Sequence, residues 1–189
     1  MSIFVLCEKN PNNKVHYFVQ RTIKELSEKS NVQSKIYGIE KNEIKNCGGC
    51  FGCWVKTPGE CIIKDLGNEI ARSCLQSDIA IIITPINFGS YSSTIKTALD
   101  RFIPLISPFF QKIDGEIHHK RRYEKMPTLI NIGIQDKVNA NEKETFIKLA
   151  NRNAINFFQN QHQILTFDPT NSENEIINLT KSTIKDLLM

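Results

Sequence analysis

Four of the six cysteines fall within one short segment, Cys47-Gly48-Gly49-Cys50-Phe51-Gly52-Cys53-Trp54-Val55-Lys56-Thr57-Pro58-Gly59-Glu60-Cys61. Three thiolates placed three residues apart on a glycine-rich loop can converge on one face of a metal cluster, and the Pro58-Gly59 turn can fold the fourth back. A four-iron, four-sulfur cluster suits this spacing of Cys47, Cys50, Cys53 and Cys61. Zinc would more often draw two separated pairs. The alternative is a set of unmetallated thiols on a turn that packs Phe51 and Trp54.

The elements that must position such a site follow from periodicity. Ile3 to Cys7 is a short apolar run ended by the turn formers of Glu8 to Asn13, a buried strand and a loop. Val15, Phe18, Val19, Thr22, Ile23 and Leu26 make one helical stripe. A weaker strand over Val32 to Ile39, with Val32, Ser34 and Ile36 alternating, suits a sheet edge. Asp65 caps a helix to about Gln76. Asp78 to Ile83 is apolar on both faces and belongs at the centre of a parallel sheet. Ile95 to Ile103 forms a helix ended by Pro104 and Pro108, and Gln111 to Lys125 reads as a long polar connection. Leu129 to Ile134 is a fourth strand. Asn141 with Glu144 resembles a capping box for a helix burying Phe146, Leu149, Ala150 and Phe157. Gln163 to Phe167 is a fifth strand, and a last helix spans about Glu173 to Leu188.

Five strands alternating with five helices predict an α/β, three-layer sandwich: a parallel sheet with helices on both faces, in one domain spanning 1–189. Such sheets bind ligands beyond the carboxyl ends of their strands, where strand order reverses. The informative loops are Glu8 to Lys14, Pro85 to Tyr91 and Ile134 to Asn141.

The 189 residues are 40% apolar and 23% charged, which excludes a disordered chain. A net charge of +4 is too small to demand nucleic acid or an anionic membrane as partner. The longest strongly apolar stretch, Ile79 to Ile83, is far short of a membrane span. The start, Met1 to Lys9, lacks the pattern of a signal peptide, so a cytoplasmic protein with reduced cysteines is expected. No Gly-x-Ser-x-Gly, His-Glu-x-x-His or Walker-type loop supports hydrolase or nucleotide-triphosphatase chemistry.

Three segments resemble the flavodoxin-like NAD(P)H-dependent FMN reductases and, within them, the iron-sulfur flavoproteins. They are Cys50 through Asp65, Asp78 through Ser90, and Lys96-Thr97-Ala98-Leu99-Asp100-Arg101, with a weaker likeness from His118 to Pro127. The resemblance implies the flavodoxin-like strand order 2-1-3-4-5. It also implies a flavin-bordering loop at Pro85-Ile86-Asn87-Phe88-Gly89-Ser90-Tyr91, with Asn87 where the family usually has tyrosine. Backbone amides there suit the ring's N5 and carbonyl edge, and Phe88 or Tyr91 suits its face. A strand-to-helix connection capped by Ser92 or Ser93 is the other reading.

The first loop departs from the family, which binds the FMN phosphate with a Gly-Ser-x-Arg stretch and a Ser-Asn-Thr turn. Here Lys9, Asn12, Asn13 and Lys14 are the phosphate candidates; the hydroxyl donors are missing, and an inward Glu8 would repel a dianion. The basic stretch His118 to Tyr123 suits dinucleotide phosphates, a partner subunit or plain solvent. Lys96 and Asp100 form a helical ion pair, and His16 and His162 are structural.

The resemblance implies an oxidoreductase in which NAD(P)H passes hydride to FMN and the electrons move on to an acceptor, with no side chain acting as acid or base. It also implies a homo-oligomer. Two rivals share the fold: a binding or scaffold protein without flavin, and an electron carrier that does not use NAD(P)H.

Overall fold

The computed structural model describes residues 1–9, 13–113, 115–157 and 162–188. Alternation along its innermost strands sorts the core into two layers. Strand β1 (Ser2–Glu8) leads into helix α1 (Lys14–Lys29), then strand β2 (Gln33–Ile39), a one-turn helix α2 (Gly52–Val55) and helix α3 (Leu66–Leu75). Strand β3 (Ile79–Asn87) follows, then a two-residue strand β4 (Ser90–Tyr91), helix α4 (Ser93–Asp100) and a 3₁₀ turn at Ile103–Leu105. Strands β5 (Ile106–Ile113), β6 (Glu116–Arg121) and β7 (Thr128–Ile134), helix α5 (Ala140–Phe157), strand β8 (His162–Phe167) and helix α6 (Glu173–Leu188) complete the chain.

The main sheet has the parallel order β2-β1-β3-β7-β8, the flavodoxin-like order expected, with β3 at its centre. On one face Ile3, Val5, Cys7, Ile79, Ile81 and Ile83 pack with Val19, Ile23 and Leu26 of α1 and with Ile176 and Ile184 of α6. On the other, Phe4, Leu6, Ala80 and Ile82 meet Ile70 and Cys74 of α3, Ile95 and Ala98 of α4, and Phe146 and Ala150 of α5. Each fully buried isoleucine contributes about 2–3 kcal/mol, so the paired isoleucine rows dominate the sheet's attachment to its helices. Strand order reverses between β1 and β3, and their carboxyl ends therefore open a crevice.

Three sequence expectations change. The polar connection from Gln111 is an antiparallel hairpin, β5 with β6. Its strands are half-exposed and lack a clean alternation. The capping pair of α5 lies two residues earlier than expected: the Asn139 side chain accepts the Glu142 amide proton at 3.2 Å and donates to the Glu142 carboxylate at 3.1 Å. In β2, which does lie at the edge, the buried side chains are Tyr37 and Ile39, while Ile36 is exposed.

Candidate functional site

The crevice is bounded by three loops at the carboxyl ends of β1, β3 and β7. After β3 the chain makes a tight hairpin in which Asn87 pairs with Ser90. Phe88 and Gly89 both hold positive φ, 52° and 74°. Paired positive values are what two-residue hairpins favour, because their twist matches that of the strands. Glycine accepts this conformation freely; phenylalanine does not. A Cβ on Gly89 would stand 2.6 Å from Thr145 Cβ, so the tip is seated against α5.

Phe88 thus carries backbone strain while presenting its ring to solvent, 95% exposed. Strain at an exposed aromatic points to a binding role for that ring. Beside it lies a cleft of about 450 Å³ lined by Ile86, Asn87, Phe88, Gln135, Asp136, Lys137, Val138, Asn139 and Glu142. Its walls are the β3–β4 tip and the loop after β7. Gln135 is buried and donates to the Asn139 carbonyl at 2.9 Å, which fixes the second wall.

The remaining residues of the β3 loop are oriented differently. Tyr91 is buried, its hydroxyl 3.1 Å from Asn131 Oδ1 and its ring edge-on to Phe146. Its ring therefore belongs to the core and not to the cleft. Ser92, as the sequence suggests, caps α4 by accepting the Ile95 amide proton. The Ser92 hydroxyl also bonds Glu8 Oε1 across the point of strand reversal. That contact holds the Glu8 carboxylate at the positive end of α4.

In the first loop, Asn13 caps α1, accepting the Val15 amide proton at 2.9 Å. Its amide also donates to Asp136 Oδ1 at 2.6 Å, linking the start of α1 to the loop after β7. Lys14 opens α1 and is exposed. Lys9 instead faces Glu40 and Glu43, at 3.3 and 3.9 Å. Its ammonium is thereby drawn toward two carboxylates at the end of β2. Asn12 lies outside the described residues.

The cysteine segment wraps around α2. Gly49 and Phe51 hold positive φ, and the Gly59 amide donates to the Cys53 carbonyl at 3.1 Å, folding the chain back as the Pro58-Gly59 pair predicts. Cys53 is buried, Cys61 half-buried, and Cys47 and Cys50 exposed. Burial raises the Cys53 thiol pKa, and the neighbouring Cys61, Cys47 and Cys50 push it the same way. Among the described residues no three such ligands already stand in coordinating geometry. The donor set, four thiols of which one is buried, fits an iron-sulfur cluster by its chemistry.

Sequence reasoning missed the buried Arg101 on the far side of this segment. Its guanidinium donates to the Lys45 carbonyl, Asp65, the Ile63 carbonyl and Asn68 at 2.8–3.0 Å. Burial opposes ionisation of Asp65, yet the Arg101 bond and the Lys45 and Gly67 amides hold its pKa below the usual carboxylate value. His119 of the hairpin lies against Trp54 and Phe110, ring centroids 5.2 and 4.6 Å away, joining the cysteine segment to β5.

Residues 1–120, from β1 through most of β6, match the model of the NADPH-dependent FMN reductase family. The chain belongs to that family. Its curated relatives include an iron-sulfur flavoprotein of Archaeoglobus fulgidus, 29% identical over 92 residues that make up 49% of this chain and 44% of the relative. A second from that organism is 32% identical over 43% of this chain and 36% of its own length. The chain thus spans less than half the length of these curated relatives where it matches them. Among solved structures, the NAD(P)H:quinone oxidoreductase of Methanothermobacter marburgensis superposes with a TM-score of 0.72 at 9% identity, covering 100% of this chain and 98% of that one. An azoreductase of Bacillus anthracis gives 0.66 at 12% identity, covering 98% of each chain. General stress protein 14 of Treponema denticola, solved in complex with FMN, gives 0.54 at 12%, covering 98% of this chain and 97% of that one. At such identities the likeness shows the fold. No helix among the described residues is long and apolar enough to cross a membrane.

Proposed function

We propose that this chain is an FMN-dependent oxidoreductase that draws hydride from NAD(P)H and passes electrons to an acceptor. The observation that carries the reading is Phe88, strained and fully presented beside a cleft at the carboxyl ends of β3 and β7. Bound FMN would supply the redox chemistry; the protein binds and orients it.

In this reading the amides of the Asn87–Ser90 tip border the ring, Phe88 covers one face, and Ile86 and Val138 line its apolar edge. Pro85 lies within β3, in register with Ile134, two residues before the strand ends at Asn87. The amino end of α1, with Asn13 and Lys14, receives the phosphate, where free amides and the helix dipole favour an anion. Lys9 neutralises Glu40 and Glu43 and contributes to the phosphate only through its field. Tyr91 acts through the core. No side chain in the cleft is required as acid or base, because the flavin itself carries the electrons.

The four-cysteine segment would hold an iron-sulfur cluster that adds a one-electron path. Exposed Phe109, Phe110 and Ile117 on the hairpin support association with a second copy. The direct test is spectral: purified chain titrated with FMN should quench flavin fluorescence at about one equivalent, and anaerobic NADPH or NADH should bleach the flavin absorbance. A chain that refuses FMN would be the flavin-free binding protein; one that binds FMN but is not bleached would be an electron carrier.

A further inference from the structure

Buried arginines need acceptors for all five N–H groups, and four of those on Arg101 are assigned. Nη1 bonds the Lys45 carbonyl and Asp65; Nη2 bonds the Ile63 carbonyl and Asn68. Lys45 lies two residues before Cys47, and Ile63 two residues after Cys61. One side chain therefore ties together both ends of the cysteine segment. The guanidinium is fully buried and, among the described residues, its Nε–H has no bonded acceptor. Arg101 and Cys61 line the same small cavity of about 190 Å³. Asn68 completes the frame, donating to the Cys61 carbonyl at 2.9 Å while accepting from Arg101.

We propose that Arg101 is a positioning residue for the four-thiolate site: it closes the ends of the segment and donates its remaining Nε–H to the Cys61 sulfur. The inference rests on the cluster reading given above. The cavity that Arg101 and Cys61 line together is the space in which the unpaired Nε–H and the Cys61 sulfur would meet. A thiolate at Cys61 would accept the free N–H and relieve a buried donor left unpaired. No electron or atom is transferred in this contact. An N–H···S bond withdraws charge from a ligating sulfur and raises the cluster's reduction potential, as outer-shell donors do.

The test compares the full chain with Arg101→Lys, Arg101→Gln and Asn68→Ala after anaerobic reconstitution with iron and sulfide. Iron content, cluster reduction potential by redox titration, and FMN affinity are measured on each. Wild type should hold about four iron atoms. Both Arg101 variants should bind FMN as wild type does, hold less iron and titrate at a more negative potential, with Lys closer to wild type than Gln. Asn68→Ala, which leaves Arg101 in place and frees the Cys61 carbonyl, should shift both readings in the same direction by less. It also decides the matter if the Arg101 variants do not fold. Wild type that takes up no iron overturns the cluster reading itself. Iron-loaded wild type whose potential and iron content are matched by the folded variants overturns the role of Arg101 alone.

Discussion

Asn13 Nδ2 donates to Asp136 Oδ1 at 2.6 Å, joining the amino end of α1 to the loop that follows β7. The bond sets a carboxylate beside the helix end where the proposed phosphate would sit. A dianion there is attracted by the α1 dipole and repelled by Asp136. The two effects oppose, and the substitution Asp136→Asn separates them. Asparagine keeps an oxygen to accept the Asn13 amide and removes the charge. The FMN dissociation constant should fall about threefold at low salt, with the difference shrinking at high salt as the exposed charge is screened. Fluorescence quenching at two ionic strengths checks it; equal affinities at low salt would place the phosphate elsewhere.

Phe88 sets stability against binding. Its φ of 52° costs a non-glycine residue about 1 kcal/mol, and its ring, 95% exposed, gives little packing in return. Phe88→Gly should raise the unfolding free energy by about 0.5–1 kcal/mol in urea while weakening FMN binding by about tenfold. Gly89→Ala should do the reverse to the fold, costing about 2 kcal/mol or more, since the new methyl meets Thr145 Cβ at 2.6 Å with φ at 74°. A Phe88→Gly chain that is less stable, or binds FMN undiminished, would remove the ring from the site.

How much of this was legible in the chain depends on where each residue finds its partner. The strands β1, β3 and β7 show plainly because both their faces are buried, so continuous β-branched runs announce them. The β5–β6 hairpin does not, because its half-exposed strands are free to carry Lys112, His118 and Lys120 without a period. Asn139 and Asn141 each stand three residues before a glutamate, and only the helix's observed start selects the first pair. Tyr91 looks like a ring-stacking residue in sequence; its pairing opposite Ile86 turns the side chain inward. Arg101 lies beside a recognisable local ion pair, Lys96 with Asp100, yet the four groups its guanidinium bonds are 33 to 56 residues away. No local pattern reports such a contact. The cysteine spacing was legible as a donor set, whereas the bond from the Gly59 amide to the Cys53 carbonyl that folds the segment back needed the structure.

Tyr91→Phe distinguishes a core tyrosine from a flavin contact. The substitution leaves Asn131 Oδ1 without the hydroxyl, in a side chain whose Nδ2 already has no partner among the described residues. Stability should fall by about 1–2 kcal/mol, with the urea m-value unchanged and FMN affinity within about twofold of wild type. A selective loss of FMN binding would instead put the phenol in the cleft.

His16 gives the fold a pH dependence that can be assigned to one group. It is buried on α1, its Nε2 2.9 Å from the Gln20 amide, which also donates to Cys7 at 2.9 Å, and among the described residues its Nδ1 has no partner. Burial favours the neutral imidazole and lowers its pKa from 6.5 to about 4. The unfolded chain takes up this proton near 6.5, the folded chain only near 4. Between those values the unfolded state holds more protons, so stability is fully present above 6.5 and drains away as pH falls toward 4. At about 1.4 kcal/mol per pKa unit the loss amounts to about 3 kcal/mol. His16→Gln removes the titrating group, so the difference in unfolding free energy between wild type and variant should change by that amount from pH 7 to pH 4. Common contributions from carboxylates such as Asp65 and Asp78 cancel in that difference. Parallel pH profiles would mean that the imidazole is already charged, or solvated, in the folded chain.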